Sequence, residues 1–257
     1  MVQTVQSADG TTIAYEQAGS GAPLVIVGGA LNNRQSAAAL VPPLAGDFTV
    51  ITYDRRGRGD STDTPPYAVD REIEDLRALA DAAGGPVHLY GHSSGAILCL
   101  EAAAAGVSVR KIAVYEPPYF THHVRDEPWE VFANKVKTLA DTGHGDQAVE
   151  AFMRHAGVRF DERVKQEPWW PAVVALAPTL HYDLTLEADG VVPEERFGSI
   201  TAPVLALYGD ASPDWAVASA AAVATSVKDG HQGVIPGHGH DVPPEALVPF
   251  LIGFFHE

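Results

Sequence analysis

One cysteine, Cys99, occurs in 257 residues, so no disulfide can close within the chain and nothing marks an oxidising compartment. Basic residues are scarce as well: 17 lysines and arginines stand against 33 aspartates and glutamates, for a formal charge of −16. A surface of that sign repels phosphate backbones and anionic lipid and favours solubility, which argues against nucleic acid or membrane as a partner. Long apolar runs are missing, and none approaches the ~20 residues a membrane helix needs. The opening MVQTVQSADG has neither a basic n-region nor an apolar h-region, so it does not read as a signal peptide, and a cytoplasmic location is expected. No internal repeat or low-complexity tract appears, which excludes a repeat architecture.

Turn-forming residues, by contrast, are in excess. The 24 glycines and 19 prolines make up about 17% of the chain against an average near 12%. That excludes a coiled coil or a plain helical bundle. With 46% apolar and 19% charged residues, the length fits one large α/β domain with room for a modest insertion.

Thr11–Gln17 alternates as an exposed strand does, and Gly19–Gly21 ends it as a turn. Short apolar runs follow at Leu24–Val27, Phe48–Tyr53, Val87–Tyr90, Ile112–Tyr115 and Val204–Tyr208, the pattern of strands buried on both faces. Helices are predicted near 34–45, 70–83, 94–105, 213–226 and 244–256. Such alternation implies a mostly parallel sheet covered by helices, and the first two strands, close in sequence, are expected to be antiparallel. From about 120 to 198 the alternation stops. This stretch holds Trp129, Trp169 and Trp170 and helix-like segments near 129–141 and 146–156, without a buried strand. It reads as a helical lid over the carboxyl edge of the sheet, dividing the chain into a core of 1–119 and 199–257 and a cap of 120–198. Extra helices packed on the side are the plainer alternative.

Val87-His88-Leu89-Tyr90 leads into Gly91-His92-Ser93-Ser94-Gly95 and then Ala96-Ile97-Leu98-Cys99-Leu100, which is strand, G-x-S-x-G, helix. The five-residue match is weak by itself, and its context carries it. So sharp a reversal strains the backbone at Ser93 and leaves no room for side chains at 91 and 95. It presents the Ser93 hydroxyl at a strand tip facing a helix N-terminus, where the Ser94 N–H and the helix dipole can stabilise an oxyanion.

On these residues the chain resembles the α/β-hydrolase superfamily over nearly its whole length. Tyr53-Asp54-Arg55-Arg56-Gly57-Arg58-Gly59-Asp60-Ser61 is similar to the superfamily's D-x-R-G-x-G-x-S loop. Leu24–Gly29 is similar to its third strand and oxyanion loop, with Gly28-Gly29 in place of the usual His-Gly. The resemblance implies a mostly parallel sheet of about eight strands flanked by helices, with a small helical lid. It also implies Ser93 as nucleophile, backbone donors at Ala30 and Ser94 for the oxyanion, and no cofactor or metal.

A serine hydroxyl is a poor nucleophile until a base takes its proton. Among eleven histidines, His240 in Gly239-His240 matches the Gly-His pair that carries the base in the superfamily, with His238 as the nearby rival. His92 reads as a packing residue, and His122 and His123 adjoin the lid. The acid has two candidate places. Three residues beyond Gly209 the register lands on Ser212, with carboxylates only at Asp210 and Asp214. The other place follows Tyr115, where Glu116 stands at the end of an apolar strand before Pro117-Pro118. A carboxylate there is costly unless paired, and an imidazole would pair it. Glu116 is preferred, as in dehalogenase-type and fungal lactonase-type relatives; Asp210 and then Asp214 are the alternatives, and a structural salt bridge at the lid hinge is the bland reading of Glu116.

The expected activity is hydrolysis of a carboxylic ester or lactone through an acyl-enzyme, on a small-to-medium, largely apolar small molecule. Trp129, Phe132, Trp169, Trp170 and Tyr182 of the lid are expected to face it, although aromatic residues equally pack a lid. Serine at the nucleophile position argues against a dehalogenase. Three rivals stay open: a cofactor-free haloperoxidase or perhydrolase on the same triad, a metalloenzyme built on His238, His240 and Asp241, and a non-catalytic ligand-binding protein on the same fold.

Overall fold

The computed structural model describes residues 1–120, 128–158 and 160–256. Among these, eight strands form one sheet in the order β1-β2-β4-β3-β5-β6-β7-β8. They are β1 (Gln3–Gln6), β2 (Thr12–Gly19), β3 (Ala22–Val27), β4 (Phe48–Tyr53), β5 (Val87–His92), β6 (Val109–Tyr115), β7 (Val204–Gly209) and β8 (Gly230–Ile235). The β1–β2 and β2–β4 pairings are antiparallel, and every pairing from β4 across to β8 is parallel. The first two strands read from the sequence, β2 and β3, do run in opposite directions, yet β4 lies between them. The reason is composition: Leu24–Val27 is buried throughout and needs a neighbour on each edge, whereas Glu16–Gly19 stays accessible and tolerates an outer place.

The helices are α1 (Val41–Leu44), α2 (Val69–Ala82), α3 (Ser94–Ala104), α4 (Trp129–Asp141), α5 (Gly145–His155), α6 (Trp170–Val174), α7 (Leu180–Glu187), α8 (Glu194–Phe197), α9 (Asp214–Ser226) and α10 (Pro244–His256). The stretch expected as one helix at 34–45 is a 3₁₀ turn, Arg34–Leu40, followed by α1. Side chains alternate along a strand, so the sheet packs two cores. Val25, Val27, Leu89, Ile112 and Val114 join α2, α3 and α9 on one face. Leu24, Ile26, Tyr90, Ala113 and Leu207 join α1 and α10 on the other.

Between β6 and β7 no strand occurs among the described residues. The segment 120–198 behaves as two parts. Phe132, Val136, Val149, Phe152, Trp170 and Leu180 close a small core of their own. Leu186, Val192 and Phe197 instead join the main core around α3, so α7 bridges the two.

Candidate active site

The turn after β5 carries Ser93 at φ 56° and ψ −127°. A non-glycine residue there is strained, and the surroundings hold it in place. A Cβ on Gly91 would collide with the Gly95 carbonyl and Ala96, and one on Gly95 would collide with the carbonyls of Val27 and Gly28. Both glycines therefore permit the close approach that seats α3 against β3. Gly29 passes so near that a Cβ would lie 2.9 Å from the Ser93 Cβ.

Glu116 follows β6 at φ 47° and is fully buried. One carboxylate oxygen accepts from His240 Nδ1 at 2.7 Å. The other accepts from the Gly209 N–H at 2.9 Å and from Ser212 Oγ at 2.6 Å. Burial alone would raise this carboxyl, but the bonds from His240, Ser212 and Gly209 outweigh it and hold the pKa below the ordinary glutamate value. Ser212, at the commoner position for the acid in the resemblance, thus donates to the carboxylate that follows the other strand. Asp210 turns away: it accepts from the Gly237 N–H at 2.5 Å. Asp214 begins α9.

The loop bearing His240 is held through its backbone. His92 Nε2 meets the His240 carbonyl at 3.0 Å, and the Tyr115 hydroxyl donates to the Gly239 carbonyl at 2.5 Å. The two rings stack, with centroids 5.6 Å apart. Burial, and then the neighbouring His240, lower the His92 pKa to about 4, so near neutrality it is an uncharged donor. His92, read from the sequence as packing, therefore also fixes the loop of its neighbour. His238 takes part through its carbonyl, which accepts from the Ala211 N–H at 2.9 Å.

Ser93 and His240 line one cavity of about 470 Å³. Ala30, Leu31, Phe120, Phe152, Met153 and Trp215 supply much of its wall. Trp129, Trp169 and Trp170, expected to face substrate, are not among the described lining residues. Trp170 is buried in the small core of the inserted helices, Trp129 packs against the same core, and Trp169 is 45% exposed. Phe132 is buried with Trp170, and Tyr182 stacks on Tyr67 at 3.9 Å. The aromatic side chains that do reach the cavity, Phe120, Phe152 and Trp215, carried no signal that set them apart from ordinary packing residues. His122 and His123 lie outside the described residues.

Behind the loop that follows β3 sits a buried ion network that sequence reasoning missed. Arg55 makes paired bonds to Glu72 at 2.7 and 2.6 Å, and both Arg55 and Arg58 reach Asp183 of α7. Burial would raise the Asp183 and Glu72 carboxyls, but the guanidinium groups beside them outweigh it and keep both below their ordinary values. The three arginines in Asp54-Arg55-Arg56-Gly57-Arg58 were the available signal, since so much charge in one short loop demands partners. Among the described residues, no group of three or more histidine, cysteine, aspartate or glutamate side chains is arranged to hold a metal ion. His238, His240 and Asp241 form no such group, and His240 Nδ1 bonds to Glu116.

Comparison with known proteins agrees with this architecture. Residues 24–249 match the model of the alpha/beta hydrolase family. A 2-(acetamidomethylene)succinate hydrolase from Mesorhizobium japonicum is 28% identical over 95% of this chain and 91% of its own length. An alpha/beta hydrolase from Sphaerobacter thermophilus superposes with a TM-score of 0.90 at 45% identity, covering 98% of this chain and 100% of that one. A bromoperoxidase from Bacillus anthracis shares the fold, with a TM-score of 0.76 at 21% identity and full coverage of both chains. A family model spanning most of the chain, the eight-stranded sheet and the strained serine turn lead to one assignment: the chain belongs to the alpha/beta hydrolase family.

Proposed function

We propose that this hydrolase is a serine enzyme that cleaves a carboxylic ester or lactone of a small-to-medium, largely apolar substrate. The observation that carries the reading is the 2.7 Å bond between Glu116 and His240, which lines the cavity that Ser93 also lines. With Nδ1 bonded to Glu116, the imidazole keeps Nε2 for the serine. Ser93 Oγ attacks the substrate carbonyl carbon while His240 takes its proton, and the tetrahedral oxyanion accepts from the N–H groups of Ser94 and Ala30. Collapse expels the alkoxide, which His240 protonates. Water, deprotonated by the same imidazole, then attacks the acyl-serine and releases the acid. A cavity of about 470 Å³ walled by leucine, phenylalanine, methionine and tryptophan suits an apolar acyl or alkyl group.

A fluorophosphonate probe tests the reading directly. The native protein is expected to label at Ser93, and Ser93→Ala to lose both labelling and turnover. Absence of label on the native protein would favour the binding-protein alternative. A panel of p-nitrophenyl esters, γ- and δ-lactones and 2-(acetamidomethylene)succinate, the compound that names the Mesorhizobium relative, then sorts the substrate class. Faster turnover of apolar esters or lactones than of the succinate is expected. The same panel with peroxide and acetate reports any perhydrolase activity.

A further inference from the structure

Asp183 in α7 is fully buried, and its Oδ1 accepts from Ser94 Oγ at 2.7 Å, from Arg55 at 2.7 Å and from Arg58 at 2.9 Å. Arg58 also reaches Asp183 Oδ2 at 2.8 Å. The other arm of the same guanidinium donates to the Gly29 carbonyl at 2.7 Å and to the Asn32 carbonyl at 3.1 Å. The Gly29 carbonyl and the Ala30 N–H belong to one peptide unit. A planar trans peptide points its C=O and N–H in opposite directions. An arginine that grips the carbonyl from the buried side therefore turns the N–H toward the cavity shared by Ala30 and Ser93. The second oxyanion donor, the N–H of Ser94, belongs to the residue whose hydroxyl ends on the same carboxylate.

We propose that Asp183 is a positioning residue for both oxyanion donors: through Arg58 it orients the Gly29–Ala30 peptide, and through Ser94 Oγ it steadies the start of α3. Docking of the inserted helix α7 and assembly of the oxyanion site are then a single event. The charges close locally, with Arg55 and Arg58 set against Glu72 and Asp183. Without the Asp183 carboxylate, Arg58 keeps a buried positive charge and its anchor is gone, so the arm on Gly29 has nothing to brace it. This inference rests on Ser93 being the nucleophile.

A matched control lies in the same loop. Arg56 pairs with Asp75 at 2.9 and 2.7 Å, both side chains are buried, and neither bonds to the oxyanion loop. Asp183→Asn, Arg58→Lys, Ser94→Ala and Asp75→Asn are compared with the native enzyme on p-nitrophenyl butyrate, with melting temperature measured alongside. Inhibition by a trifluoromethyl ketone, whose serine adduct places an oxyanion in the site, is the second readout. Asp183→Asn and Arg58→Lys are expected to lower kcat about 10- to 100-fold with KM within about twofold. The inhibitor is expected to weaken by the same factor as kcat/KM falls, and Ser94→Ala to show a smaller, parallel loss. Asp75→Asn is expected to melt earlier and keep kcat within about twofold.

Three results overturn the proposal: unchanged kcat in Asp183→Asn or Arg58→Lys, an equal loss in Asp75→Asn, or a kcat loss without weaker inhibition. If Asp183→Asn does not fold, Arg58→Lys, which keeps the charge but cannot span Gly29 and both carboxylate oxygens, decides alone. Failure of the native protein to label with fluorophosphonate overturns the hydrolase reading and this inference together. Labelling with unaltered variants overturns this inference only.

Discussion

Glu116 carries a left-handed backbone at φ 47°, a conformation that costs a non-glycine residue of order 1–3 kcal/mol and persists only where the surroundings over-determine it. Here three hydrogen bonds to the carboxylate do so. Glu116→Gln keeps the shape, and its amide oxygen can still accept from Gly209 and Ser212. Its NH₂ would face His240 Nδ1 as a donor, forcing the wrong imidazole tautomer. A kcat loss of about 10²- to 10⁴-fold is expected, with KM little changed. Asp210→Asn is expected to hold kcat within about twofold, since the Asp210 carboxylate accepts from the Gly237 N–H and not from His240. Steady-state ester hydrolysis by the two variants checks this, and the reverse pattern would show Asp210 to be the acid. At this scale local chemistry favoured the carboxylate that the fold bonds to His240: an isolated carboxylate at the end of an apolar strand needs a partner. Ser212 was visible only as a missing carboxylate, and its role as a donor to Glu116 came from the fold.

The elements show why glycine recurs along one edge of the sheet. Gly209 ends β7 so close to the histidine loop that a Cβ would overlap the His238 carbonyl and lie 2.8 Å from the Tyr115 hydroxyl. Gly209→Ala must therefore push the loop bearing His240 away from Glu116. A drop of about tenfold or more in kcat is expected, because displacement of a catalytic group by about 1 Å can cost 10²-fold. The check is kcat together with the melting temperature; a variant that melts earlier yet turns over normally would separate the glycine from catalysis. The buried strands and the G-x-S-x-G turn were legible because each depends on local periodicity and on two adjacent constraints. Strand β1, Gln3-Thr4-Val5-Gln6, was not, since it has one apolar residue and takes its place by pairing with β2. The inserted helices were legible as helices, but their inward face was not. Trp170 fills their own core, while Phe152 and Met153 reach the cavity, where Trp215 of α9 joins them.

For the whole molecule two desolvated histidines, His88 and His92, contribute to the response to acid. His88 packs against Phe48 and Phe255, and burial, then Arg110 and Lys111, lower its pKa to about 4. His92 also lies at about 4, from burial and then His240, partly offset by Glu116 and Asp241. An unfolded histidine titrates near 6.5. Between those values the unfolded chain binds protons that the native one refuses, so the histidine contribution to stability falls as pH drops from about 6.5 to 4 and is level between about pH 7 and 8. Below about pH 4.5 the carboxyls of Glu72, Glu116 and Asp183 add to the loss, because their folded values are depressed and protonation favours the unfolded chain. Urea midpoints measured from pH 8 to 4 check the sign, and His88→Leu is expected to reduce the slope between pH 6.5 and 4.5. Midpoints that stay level down to pH 4.5 would show that neither histidine is buried as a neutral group.

By itself the amino-acid sequence determined the alternation of strands and helices, the serine turn and the short set of residues able to act as base and acid. These are properties of neighbours, and side-chain periodicity, glycine spacing and proline placement encode them locally. The tertiary structure decided which of those residues meet. Glu116 and His240 are separated by 124 positions, and Arg58 and Asp183 by 125. Strand order and register bring such pairs together, and neither is written in the local pattern of either partner. The same holds for the aromatic residues of the inserted helices, whose hydrophobicity says that they will be buried and whose packing alone says against what.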